Sequence, residues 1–218
     1  MMDEVVKVNT ALISVFDKSG LDSFVPGLVA HNPEMIILSS GGTYRRVSEI
    51  LEGDPKQRLI EVAQYSGVAE MKGGLVKTLV PHVHAGILGD RNDRAHQDYL
   101  GGINGRFIDM VVCNLYPFQD AVSTTDSTYL DSINMTDIGG PTMVRAAAKN
   151  ERWVVPVIDP NDYTLVLDEL REQGGVRLET RLALADKAFE HTRDYDTAIC
   201  EYRKRVSVQN RLGAYRGE

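Results

Sequence analysis

Apolar residues come in short blocks, separated by glycine, proline and charged residues, and the spacing inside the blocks alternates along the chain. The run 11–16, opening on Ala11, Leu12 and Ile13, reads as a buried strand. Asp17, Lys18, Ser19 and Gly20 turn it into a helix over about 20–31, with Asp17 or Ser19 as cap and Pro26 set to kink or shorten it. Residues 35–38 predict a second strand, followed by a glycine turn and a helix over 44–51. Further strands are expected at 59–62, 83–88, 108–115 and 153–158, and a helix at 160–173. The block 108–115 is apolar at nearly every position, as in a strand covered on both faces. Strands alternating with helices give an α/β fold: a doubly wound, mainly parallel sheet with helices on both faces.

Gly174 and Gly175 interrupt this pattern. Beyond them Leu178, Leu182, Ala185, Phe189, Thr192, Tyr195, Ile199 and Tyr202 recur at helical spacing. An amphipathic helix over 177–205, with room for one break, packs this stretch on the domain or on a second copy. The expected division is an α/β domain over 1–175 and a C-terminal helical extension over 176–218, whose last dozen residues fray or join an interface.

Composition narrows the class. Hydrophobic residues make up 43% and charged residues 25%, ordinary values for a globular protein. The net charge of -7 argues against nucleic acid as the main partner. No apolar run is long enough to span a bilayer, and the N-terminus lacks the layout of a signal peptide. Cys113 and Cys200 fit neither a disulfide framework nor a metal site, so a cytoplasmic setting is expected.

Candidate chemistry gathers where strands are expected to end. In a parallel sheet, ligands bind beyond the carboxyl ends of the strands. Those ends carry Ser14, Asp17 and Lys18; Ser40, Gly41, Gly42 and Thr43; and Asn114 and Tyr116. The Ser40–Thr43 turn suits a phosphate, through backbone N–H groups and hydroxyls, but it also reads as a plain tight turn. It is neither a dinucleotide fingerprint nor a Walker loop. Lys77 stands alone among apolar neighbours, with no other charged residue between Lys72 and Asp90. Such a lysine finds an anion or snorkels to the surface. His82 and His84 would share a face on a strand, but no further ligands complete a metal site. Residues 137–150 open on Asp137, pass through Gly139, Gly140 and Pro141, and end in helix formers up to Lys149. They read as a loop feeding a helix N-terminus, which receives an anionic group or simply packs.

Seven segments occur together in one order: 14–20, 40–43, 76–79, 83–88, 114–118, 137–140 and 145–150, with 188–192 and 195–199 beyond. As a set they resemble the IMP cyclohydrolase domain of the bifunctional AICAR transformylase/IMP cyclohydrolase family, over about residues 10–200. The transformylase half has no counterpart here. The resemblance implies a methylglyoxal-synthase-like fold and closure of the purine ring: formyl-AICAR loses water and becomes IMP, without cofactor or metal. It carries chemical roles to Lys77, Tyr116, Asp137 and Lys149. It carries substrate binding to Ser14, Lys18, Ser40, Gly41, Gly42, Thr43, Thr78, Asn114, Ile138, Gly139 and Gly140. It also implies a homodimer and a separate AICAR transformylase as partner. Phe16, Leu75 and Val80 depart from the pattern, standing where the family has a small hydroxyl residue, an arginine and a histidine. Two rival readings are a paralogue that acts on a related ribonucleotide or is inactive, and a non-catalytic nucleotide-binding regulatory module.

Overall fold

The structure, a computed structural model, describes residues 5–52, 58–72, 75–116, 118, 122 and 128–216. Pro117, within the segment 114–118 above, lies outside the described residues. Five strands form one parallel sheet: β2 (Thr10–Ile13), β3 (Ile36–Ser39), β4 (Leu59–Glu61), β5 (Met110–Val112) and β6 (Val155–Val157), in the spatial order β4-β3-β2-β5-β6. Leu12 pairs with Leu38 on one side and Val111 on the other. Two short strands, β1 (Val5–Val6) and β7 (Val176–Arg177), pair antiparallel apart from this sheet.

Strand geometry sends alternate residues to opposite faces. Ala11, Ile13, Ile37, Met110, Val112, Val155 and Val157 belong to one buried cluster, with Phe24, Leu28, Val47, Val166 and Leu170. The last five come from helices α1 (Leu21–His31), α2 (Gly41–Ile50) and, beyond β6, Tyr163–Gln173. Leu12, Leu38 and Val111 belong to a second cluster with Val83, Ile87, Val144, Ala147 and Ala188. Helices α3 (Val62–Ser66), α4 (Pro81–Leu88), α5 (Arg94–Gly102), α6 (Tyr129–Asn134) and α7 (Gly139–Lys149) precede β6. They are followed by α8 (Tyr163–Gln173), α9 (Leu178–Arg205) and α10 (Val208–Arg216). The sheet is therefore doubly wound, as the sequence pattern requires.

Several local expectations need correction. Residues 83–88 are not a strand but part of α4. Pro81 occupies its first turn, where a missing N–H is harmless, and a short apolar run alone does not separate strand from buried helix. His82 and His84, two apart on a helix, therefore point in different directions. Neither Asp17 nor Ser19 caps α1: Gly20 does so in the left-handed region, while Asp17 accepts from Ser19. Helix α1 continues past Pro26 to His31. Helix α2 starts at Gly41 rather than 44, so the glycines are its first turn.

Helix α9 runs unbroken for 28 residues and packs on α7 and β6. Its first turns are tied down by buried polar groups. The Arg181 guanidinium, fully buried, donates to the carbonyls of Glu151, Arg152 and Val176. Glu169 of α8 accepts from Thr180 Oγ1 at 2.6 Å and from the Arg177 backbone at 2.9 Å. Among the described residues, no helix is long and apolar enough to cross a membrane.

Candidate functional site

The strand order changes direction between β2 and β5: β3 and β4 lie on one side, β6 on the other. Such a switch point leaves a crevice at the carboxyl edge of the sheet. A cavity of about 540 Å³ opens there.

One wall is the N-terminus of α2. Gly41 has φ +54, which favours glycine, and a Cβ at this position would lie 2.7 Å from Lys77 Nζ and push that mobile tip aside. Lys18 lies over Gly42, with its Cε 3.8 Å from the place of a Cβ. Two ammonium groups thus flank the first turn of a helix, whose N–H groups have no helical partners. Lys77 is also paired: Glu70 Oε1 lies 2.8 Å from its Nζ. The anion that this lysine was expected to need is supplied in part by the chain itself. Lys18 Nζ donates to the Phe16 carbonyl at 3.0 Å.

Two polar residues of this wall are occupied in holding it. Thr43 Oγ1 donates to the Val15 carbonyl at 2.9 Å and accepts its N–H at 3.1 Å. Asn114 Oδ1 accepts the N–H groups of Phe16 and Asp17, while its Nδ2 donates to the Asp17 carbonyl. Their amide and hydroxyl groups fix the loop after β2 to β5 and α2.

The opposite wall is the N-terminus of α7. Asp137 precedes it, and Asp137 Oδ1 accepts the Gly140 N–H at 3.0 Å. A Cβ on Gly140 would fall 2.3 Å from Asp137 Oδ2, so the carboxylate lies over a glycine that leaves it room. Gly139 similarly faces Thr78 Oγ1. The Asp137 N–H donates to Tyr195 Oη at 2.7 Å, from α9. Below lies Cys113, whose thiol burial and the Asp137 charge push up, leaving it a neutral packing group. Tyr116 lines the cavity, its ring edge-on to Phe16 with centroids 4.3 Å apart. Phe16 is 49% exposed and Leu75 68%, so the rim is apolar where these two stand. Val80 instead is buried in the core, at the N-cap of α4.

Every site residue expected from the sequence lines this cavity except Lys149. Lys149 is the last residue of α7 and is exposed. At about 1.5 Å per residue, that helix puts it roughly 15 Å from the end that faces the crevice. Two participants were not foreseen. Glu70 is seven positions before Lys77, a spacing without local meaning in the sequence. Tyr195 stood in the sequence as an apolar position on a helix and as the start of the 195–199 segment, with no role at the site. Among the described residues, no group of three or more His, Cys, Asp or Glu is arranged to hold a metal ion.

The fold and site define a doubly wound α/β protein with two helix N-termini facing one crevice. Residues 147–215 match the AICARFT/IMPCHase bienzyme family. The chain is 45% identical over 192 residues to the bifunctional purine biosynthesis protein PurH of Anoxybacillus flavithermus, covering 88% of this chain and 36% of that protein. Identity to PurH of Bacillus cereus is 43% with the same coverage. The crystal structure of ForH superposes with a TM-score of 0.71 at 32% identity, over 89% of this chain and 98% of that one. The chain belongs to the AICARFT/IMPCHase family. It spans 36% of the length of the PurH proteins that it matches, and the cyclohydrolase half alone fits it.

Proposed function

We propose that this chain is an IMP cyclohydrolase of purine biosynthesis, which closes the purine ring of formyl-AICAR with loss of water to give IMP. The observation that carries this reading is the meeting of Asp137, Tyr116 and Lys77 in one cavity with a helix N-terminus suited to a phosphate. The phosphate of the ribotide sits against the first turn of α2, between Lys18 and Lys77. The base then lies toward α7.

There the carboxamide nitrogen attacks the formyl carbon. That nitrogen is a poor nucleophile until it loses a proton, and Asp137 takes it. The formyl oxygen gains charge as its carbon becomes tetrahedral, and N–H groups of the first turn of α7 meet it. Tyr116 protonates that oxygen; the resulting hydroxyl leaves as water with the proton that Asp137 gives back, while the former formamido nitrogen loses its proton to the Tyr116 oxygen as the ring C=N bond forms. Holding both reacting groups of one molecule in line supplies much of the rate. The protein works as a cytoplasmic homodimer, and a separate AICAR transformylase supplies its substrate.

The test is an ultraviolet assay of purified protein with formyl-AICAR. Appearance of IMP above the uncatalysed rate supports the reading, and its absence in folded protein overturns it. A second reading, action on a related ribonucleotide, is favoured by Phe16 and Leu75, exposed apolar side chains at the rim. IMP formation far slower than turnover of another ribotide would favour it.

A further inference from the structure

We infer that Tyr195, on the C-terminal helix α9, is a positioning residue that sets the Asp137 carboxylate for proton transfer. This role presupposes that Asp137 takes the carboxamide proton as proposed above.

Tyr195 is 7% exposed, and a buried phenol needs a partner for its oxygen. It finds one 58 residues away, accepting the Asp137 N–H at 2.7 Å. Asp137 lies just before α7, so no helical hydrogen bond of its own N–H fixes it. It is held at two points: its N–H by Tyr195, and Oδ1 by the Gly140 N–H. Together these leave the side chain little choice of direction. The same ring meets Phe118 edge-on at 6.4 Å, two residues beyond Tyr116. One side chain of α9 therefore touches both segments that carry the proposed proton-transfer groups. Burial and the Asp137 charge raise the phenol, so it stays protonated and neutral while it accepts this bond.

Tyr195→Phe removes the hydroxyl and keeps the ring against Phe118. Misplacing a catalytic group lowers turnover more than binding, so kcat should fall about tenfold with KM for formyl-AICAR changed less than about twofold. In an Asp137→Asn background the same substitution should have no further effect, because the carboxylate it positions is gone. Amide hydrogen exchange at Asp137 should be slow in the unmodified protein and faster in Tyr195→Phe. Unchanged kcat in Tyr195→Phe, or an equal loss in the Asp137→Asn background, overturns the positioning role. Should Asp137→Asn keep full turnover, the proposed mechanism fails; exchange at Asp137 then shows only whether the anchor exists. Should Tyr195→Phe not fold, exchange in the unmodified protein still decides: an Asp137 amide that exchanges as fast as an exposed one overturns the anchor.

Discussion

Two helices, α2 and α7, point their N-termini into the same crevice, each through a pair of glycines. The backbone offers the same thing twice: N–H groups without helical partners and the positive end of a dipole. The side chains make the two ends opposite. At α2, Lys18 and Lys77 add positive charge, which Glu70, paired with Lys77, offsets only in part, and no carboxylate of its first turn fills the space. At α7, the chain supplies its own anion, since Asp137 accepts the Gly140 N–H. The first end, in the proposed function, would receive the phosphate of the substrate. The second holds a carboxylate of its own in place. In the proposed function, one backbone device would thus serve binding on one wall and proton transfer on the other.

The sharpest way to break this contrast is Asp137→Ala. Loss of a general base costs about two or more orders of magnitude in kcat, and KM should move little. A variant that kept turnover but bound substrate poorly would make α7 the binding wall. Lys18→Ala attacks the other wall. Charge-assisted hydrogen bonds are worth roughly 1.5–3 kcal/mol, so KM should rise about ten- to a hundredfold with kcat little changed. Lys77→Ala should raise KM likewise, because its Nζ stands at Gly41; a pure kcat loss would move this lysine to the chemistry.

Leu75→Arg together with Phe16→Ser sharpens the contrast by adding donors beside the first wall. If the ligand is the usual ribotide, calorimetry should show IMP binding about tenfold or more tighter, since arginine meets a phosphate with two hydrogen bonds. Equal or weaker binding by the folded double variant would favour the related-ribonucleotide reading.

A smaller effect comes from pH. Burial pushes Glu169 up, but hydrogen bonds from Thr180 and from Arg177 outweigh it and hold the carboxyl below its ordinary value. A depressed carboxyl contributes stability above its unfolded pKa and loses it as pH falls through the folded one. Thermal unfolding should therefore show a melting temperature that drops on acidification below the ordinary carboxylate range. The drop should be smaller in Glu169→Gln. Because Glu169 ties the start of α9, the helix bearing Tyr195, acid should loosen the α7 wall before the α2 wall. Hydrogen exchange that opened both together would refute this order. The smallest expected effect is none: exhaustive chelation should leave ring closure unchanged if lysines alone serve the anion. Loss with EDTA and recovery with zinc would require a metal at that wall.

Much of the fold was legible because strand and helix periods differ. Blocks such as Met110–Val112 announce a strand buried on both faces, and the spacing from Leu178 to Tyr202 announces a helix. The run Val83–Leu88 fits either period, since its apolar Val83, Ala85, Ile87 and Leu88 suit a strand or a helix, and packing beneath the sheet decided for helix. At the site, sequence marked residues whose type is unusual for their surroundings: a lone lysine, paired glycines, an aspartate before a helix. It also marked Lys149, which shares a helix with Gly139 but lies at its far end.

Alternation of apolar and polar positions, glycine placement and residue type are local properties, and they determined the doubly wound fold and most of the cavity lining. Partnership across the chain is not local. That Glu70 meets Lys77, that Asn114 and Thr43 spend their polar groups on loop backbone, and that Tyr195 reaches Asp137 were decided only by tertiary structure. The reason is physical: a hydrogen bond is specific to within fractions of an ångström, and only the packing of the sheet and its helices brings such distant groups that close.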